Sequence, residues 1–139
     1  SIRVPKPLDA AHPAVGRGTE QVLVVDDEAD ICRLVCSVLQ KHGYTVMEAS
    51  TTEQAITLAG RAGNNLDLII TDVVMPGKNG PQLVEHLRQN GCLAKVLFMS
   101  GHTFDSPIPE SLRNSALLTK PFTPQDLLRQ VRAVLDPNE

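Results

Sequence analysis

Two adjacent carboxylates, Asp26 and Asp27, follow the apolar run 22–25; a third, Asp72, closes the run 66–71. Ser100 ends the run 96–99, and Lys120 follows the run 116–119. Gathered in one crevice, three carboxylates, a hydroxyl and an ammonium can hold a divalent cation and accept a phosphoryl group. Neighbouring carboxylates repel, and one takes up a proton unless a cation stands between them. Mg²⁺ suits that task, because it prefers oxygen ligands, octahedral geometry and retained waters. With a backbone carbonyl added, Asp26 or Asp27 and Asp72 make a sufficient half-shell. A carboxylate at Asp72 can attack phosphorus and form an acyl phosphate. Lys120 would pair with it, and the Ser100 hydroxyl would bond a phosphoryl oxygen. Each residue also has a plainer explanation. Asp26-Asp27-Glu28 favours a helix N-terminus, Asp72 can cap a turn, Ser100 before Gly101 is ordinary turn chemistry, and lysines are mostly exposed on loops. Position in the fold decides between the two sets of readings.

The elements that must place these groups are legible from periodicity. Short aliphatic runs between helical patterns read as buried parallel strands. They are expected near 21–25, 44–49, 66–71, 95–100 and 115–119. Helices are expected near 28–41, with Ile31, Leu34, Val35, Val38 and Leu39 on one face and Gly43 as the stop. A second runs to Ala62, opened by Ser50-Thr51-Thr52-Glu53 as a capping box. A third starts at Asn79-Gly80-Pro81, and the last follows Thr123-Pro124 with Leu127, Leu128, Val131, Val134 and Leu135 inward. Between 101 and 114, Gly101, Pro107 and Pro109 leave room for only a short or irregular fourth helix. Alternating strands and helices predict a doubly wound five-stranded parallel α/β sheet of order 2-1-3-4-5. In such a sheet ligands bind beyond the carboxyl ends of the strands. All five chemical positions fall there.

With 139 residues and 42% hydrophobic side chains, the chain fills one core, built from aliphatic residues since only 3% are aromatic. Residues 1–18, rich in Pro and Gly, read as a flexible linker; 19–135 form the folded unit and 136–139 a polar tail. Ser1 in place of Met reads as a processed or excised piece. A net charge of −3 offers no basic footprint for nucleic acid. No run approaches the roughly 20 apolar residues of a membrane helix, and no signal peptide opens the chain. Cys32, Cys36 and Cys92, in helix-like stretches, read as reduced cytosolic thiols filling the core. Cys32 and Cys36 share a helix face, but no third soft ligand stands nearby in sequence. His12, His42, His86 and His102 form no cluster.

Val24-Val25-Asp26-Asp27-Glu28, Thr71-Asp72-Val73-Val74-Met75-Pro76-Gly77 with Gly80, Met99-Ser100-Gly101 and Thr119-Lys120-Pro121-Phe122 together resemble the receiver domain of two-component response regulators over about 19–135. The resemblance implies a flavodoxin-like fold in which Asp72 accepts phosphoryl from a histidine kinase. It implies Mg²⁺ bound directly by Asp27, through water by Asp26, and by Asp72 and the Val74 carbonyl. Ser100 would be the switch hydroxyl and Lys120 the charge partner. The stretches Phe98–Thr103 and Lys120–Pro124 look like C-terminal receivers of hybrid sensor histidine kinases, with residues 1–18 as the tether. A stand-alone regulator is the alternative. The partner is then a histidine kinase domain or a histidine phosphotransfer protein, in the cytoplasm, with the parent chain membrane-associated or not. One departure is Leu117, where many receivers carry an inward-turning aromatic.

Two other functions compete. A docking module that is never phosphorylated would tolerate Leu117 and a broken fourth helix, yet all five chemical positions are intact. A haloacid-dehalogenase-type hydrolase needs an acid two residues after the nucleophile, where Val74 stands, so the domain is expected to be no enzyme. A flavin site lacks a phosphate loop after the first strand.

Overall fold

The computed structural model describes residues 19–75, 79–100 and 116–136. The elements are β1 (Gln21–Val25), α1 (Ala29–Lys41), β2 (Thr45–Ala49), α2 (Thr52–Ala62), a 3₁₀ turn (Gly63–Asn65), β3 (Leu66–Asp72), α3 (Gly80–Gln89), β4 (Lys95–Ser100), β5 (Ala116–Thr119) and α4 (Pro124–Leu135). The five strands are parallel in the order β2-β1-β3-β4-β5, as expected. The expected linker 1–18 and the fourth helix within 101–114 lie outside the described residues.

Strand alternation sorts the core into two layers. Val22 and Val24 of β1 face α1 and α4, joining Val35, Leu39, Leu68, Ile70, Leu97, Met99, Leu127 and Val131. Leu23 and Val25 face α2 and α3, with Ala55, Ala59, Ile69, Leu83 and Leu87. Both faces of the central strands are covered, so their middles, 22–25, 68–70 and 96–99, are continuous apolar runs. Phe98 packs with Val73 and Val84 and is the largest fully buried side chain among the described residues.

Three local expectations change. The cap of α2 is Thr51, whose side chain accepts from the Gln54 N–H, not Ser50. Ser50 instead donates its N–H to Gln54 Oε1 at 2.8 Å. Gln54 rather than Glu53 is thus the partner, and its side chain reaches Ser50 rather than the Thr51 N–H that a capping box would use. Leu34 is 43% exposed, because the buried stripe of α1 runs through Cys32, Val35, Cys36 and Leu39. Cys92 lies past the end of α3, in the connection to β4, rather than in a helix. Elsewhere the sequence signals act as read. Gly43 adopts φ 97°, which ends α1 without a Cβ penalty. Asn79 and Thr123 each head a full capping box with Pro in the first turn.

Candidate functional site

Because the strands are parallel, their carboxyl ends share one edge. Asp26 and Asp27 leave β1, Asp72 ends β3, Ser100 ends β4 and Lys120 follows β5; these four strands are successive neighbours. The carboxylates of Asp26, Asp27 and Asp72 offer oxygens all within 4.8 Å of one another. The Lys120 ammonium reaches back over them, 3.2 Å from Asp26 Oδ2, 3.4 Å from Asp72 Oδ2 and 3.1 Å from Glu28 Oε1. The Lys120–Pro121 peptide bond is cis.

Backbone contacts fix these positions. Val73 donates to the Met99 carbonyl at 2.9 Å, holding the end of β3 on β4. Lys120 donates its N–H to the Ser100 carbonyl at 2.8 Å. Asp26 is wholly buried, and its Oδ1 accepts the Glu28 N–H at 2.9 Å. Gly80 donates to the Val73 carbonyl at 2.9 Å, and a Cβ there would sit 2.2 Å from the Asp72 carbonyl oxygen. No other residue fits so close to the backbone of Asp72. Val74 follows at the rim, half-exposed.

Burial pushes the Asp72 carboxyl above its usual range, and the charges of Asp26 and Asp27 add to this against the opposing pull of Lys120. Burial likewise raises Asp26 against its hydrogen bond from Glu28 and the charge of Lys120. Burial works against the Lys120 charge too, but Asp26, Asp72 and Glu28 outweigh it and hold the ammonium above its ordinary value. Among the described residues, Asp26, Glu28 and Asp72 share the Lys120 ammonium, with the Asp27 carboxylate beside them. The set is made only of oxygen donors, it is short of positive charge, and it is partly dehydrated. That is the environment of a hard divalent cation and fits Mg²⁺ better than a soft metal.

The structure brings together every predicted side chain whose contacts it describes: Asp26, Asp27, Asp72 and Lys120. Ser100 stands in register with Thr119 at the same edge. Two contributions escaped the residue-by-residue reading. Glu28, read as a helix-opening acid, is the shortest ion-pair partner of Lys120. Gly80, read as a helix start, is the spacer behind Asp72.

Comparison with known proteins agrees with this geometry. The family model of the response regulator receiver domain matches residues 22–132. The sensor kinase CckA of Brucella abortus is 33% identical over 122 residues, 86% of this chain and 13% of that protein. The alkaline phosphatase synthesis transcriptional regulatory protein PhoP of Bacillus subtilis is also 33% identical, over 86% of this chain and 50% of its own length. The chain therefore spans half or less of these curated relatives. Among solved structures, the chemotaxis protein CheY4 of Vibrio cholerae superposes with a TM-score of 0.75 at 31% identity, covering 85% of this chain and 100% of that one. The receiver domain of the hybrid histidine kinase CckA gives 0.71 at 29%, covering 84% and 99%. Fold, acidic edge and sequence agree: the chain belongs to the response regulator receiver domain family of two-component systems.

Proposed function

We propose that this receiver accepts a phosphoryl group on Asp72 from a phosphohistidine, and that the phosphorylated and free forms favour different conformations. The observation that carries this reading is the convergence of Asp26, Asp27 and Asp72 within 4.8 Å, with the Lys120 ammonium 3.4 Å from Asp72. An Asp72 carboxylate oxygen attacks phosphorus, the P–O bond forms, the P–N bond to imidazole breaks, and the imidazole takes a proton from solvent. Lys120 now divides its charge among Asp26, Glu28 and Asp72; facing a phosphoryl group it would stabilise the oxygens on which negative charge builds. The Ser100 hydroxyl, at the end of the neighbouring strand, donates to one of them. Asp26, Asp27, Asp72 and the Val74 carbonyl would hold Mg²⁺, which when bound would neutralise phosphoryl oxygens. Labelled phosphoryl transfer to the wild type and to Asp72→Asn tests the proposal; equal labelling of both overturns it.

For the parent protein, we infer residues 19–135 as the C-terminal receiver of a hybrid sensor histidine kinase in the cytoplasm, with 1–18 as tether. A histidine kinase domain in the same chain, or a histidine phosphotransfer protein, would be the partner. Support comes from the segments around Ser100 and Lys120 and from the likeness to a sensor kinase. The equal likeness to a transcriptional regulator favours the stand-alone form as much. The coding sequence upstream of Ser1 decides: a kinase ATP-binding domain there supports the hybrid, and its absence refutes it. At the position of the usual aromatic, Leu117 is 40% exposed beside Phe98 in register. An aliphatic side chain there removes the aromatic rotation as a signal, so output would pass through another surface.

A further inference from the structure

A second cluster of ligand-type side chains lies away from the phosphoryl pocket. Cys32 and Cys36 of α1 and Glu48 of β2 offer two sulfurs and a carboxylate oxygen within 4.8 Å of one another. The sequence alone offers only the two sulfurs; the fold supplies the third donor. Glu48 pairs in register with Val24. Val24 belongs to the same core layer as both cysteines, and Val46, two residues before Glu48, packs on that layer. Alternation along β2 therefore aims Glu48 at the α1 side, where it stays exposed at the edge of a groove it shares with Asp30, Arg33 and Gln40. Its carboxylate lies within 4.8 Å of both sulfurs, and the Cys32 thiol donates to the Val24 and Ala49 carbonyls at 3.9 Å. Thiols are weak donors, so this contact leaves the carboxylate oxygens available to a cation. The hydrogen bond with Cys32, and then burial, push the Cys36 thiol up. The outer side of the cluster opens to a groove of about 490 Å³ lined by Asp30, Ser37, Gln40 and Val46.

We propose that Cys32, Cys36 and Glu48 bind a thiophilic d¹⁰ divalent cation of the Zn²⁺ type. Both thiols ionise, two metal–sulfur bonds and one metal–oxygen bond form, and two protons pass to solvent. The fourth position faces the groove and takes a water. A C-x₃-C pair lies within the spacing zinc sites use, and bonds of about 2.3 Å to sulfur and 2.0–2.2 Å to oxygen close a cluster of this span. Soft sulfurs here and hard oxygens at Asp26, Asp27 and Asp72 separate the two sites by ligand chemistry. The ion would clamp α1 to the edge strand β2 and raise the melting temperature, since the unfolded chain does not hold the three donors together.

Co²⁺ titration of the reduced whole chain tests this. The expected result is a near-ultraviolet thiolate-to-cobalt band that saturates at one ion, releases two protons, yields to Zn²⁺ and ignores excess Mg²⁺. Cys36→Ser should abolish the band, while Cys92→Ser and Asp72→Asn should keep it. Glu48→Gln should weaken Zn²⁺ binding at least about tenfold, since losing a ligand costs no less than losing an outer-shell partner. Absence of the band, its survival in Cys36→Ser, its loss in Cys92→Ser, or unchanged Zn²⁺ affinity in Glu48→Gln each overturns the proposal. Should Cys36→Ser fail to fold, the Zn²⁺-induced rise in melting temperature, present in the wild type and reduced in Glu48→Gln, decides.

Discussion

The two ends of the sheet treat charge in opposite ways. At the carboxyl edge, among the described residues, Asp26, Glu28 and Asp72 share the Lys120 ammonium with Asp27 beside them, and Asp26 is entirely buried. At the amino edge, the Arg132 guanidinium of α4 donates to Glu20 Oε1 at 3.0 Å, to the Tyr44 hydroxyl at 3.2 Å and, through Nε, to Asp136 at 2.9 Å. The Gln21 N–H finds Asp67 at 2.9 Å. Burial opposes the Arg132 charge, yet its bonds to Asp136, Tyr44 and Glu20 hold it above its usual value. One end fastens the last helix to the strands; the other gathers negative charge that suits a divalent cation. Stability and reactivity are thus divided along the strand axis.

Substitutions can break that division, and the largest effect is expected at Asp72. Asp72→Asn should reduce phosphoryl labelling to background while circular dichroism stays native. Lys120→Gln should slow transfer by roughly 10²–10³-fold, the loss typical of one preorganised charge donor, with Mg²⁺ binding kept in a fluorescence or calorimetric titration. Gly80→Ala should cost about 1–3 kcal/mol in urea unfolding through overpacking and slow transfer as well, because the clash falls on the Asp72 carbonyl. At the other end, Arg132→Ala should lower stability by about 1–3 kcal/mol and leave the transfer rate unchanged. A change in that rate would show that the two ends are not separate.

The smallest effect runs the other way. Without a divalent cation, Asp72→Asn should be slightly more stable than the wild type at neutral pH. The folded value of Asp72 lies above the unfolded 3.8, so its contribution favours folding below 3.8 and is lost as pH rises through the folded value. The advantage of the variant should therefore open above pH 3.8 and then level off, as read from urea midpoints. Added Mg²⁺ should erase it by stabilising the wild type more.

Much of this was legible before any coordinates. Aliphatic runs separated by helical patterns predict a parallel α/β sheet, and parallel strands place strand-ending residues on one edge, where the structure gathers Asp26, Asp27, Asp72 and Lys120. What periodicity carries poorly is lateral register between distant segments. Glu28 reads as a helix opener until β5 delivers Lys120 above it, and nothing in the sequence marks Glu48 until strand pairing brings it within 4.8 Å of two thiols. Leu34 fits the helical stripe by spacing, but its exposure follows from where α1 rests on the sheet. The cap of α2 slipped by one residue because Gln54 offers both a backbone donor and a side-chain acceptor.

The bond from the Lys120 amide to the Ser100 carbonyl has a mechanical consequence. Hydroxyl and ammonium ride on adjoining strands riveted at that point, so a pull on one backbone is felt by the other. Contact with the phosphoryl group at either residue would therefore travel sideways through the sheet, from β4 into β5, without needing a bulky ring to relay it.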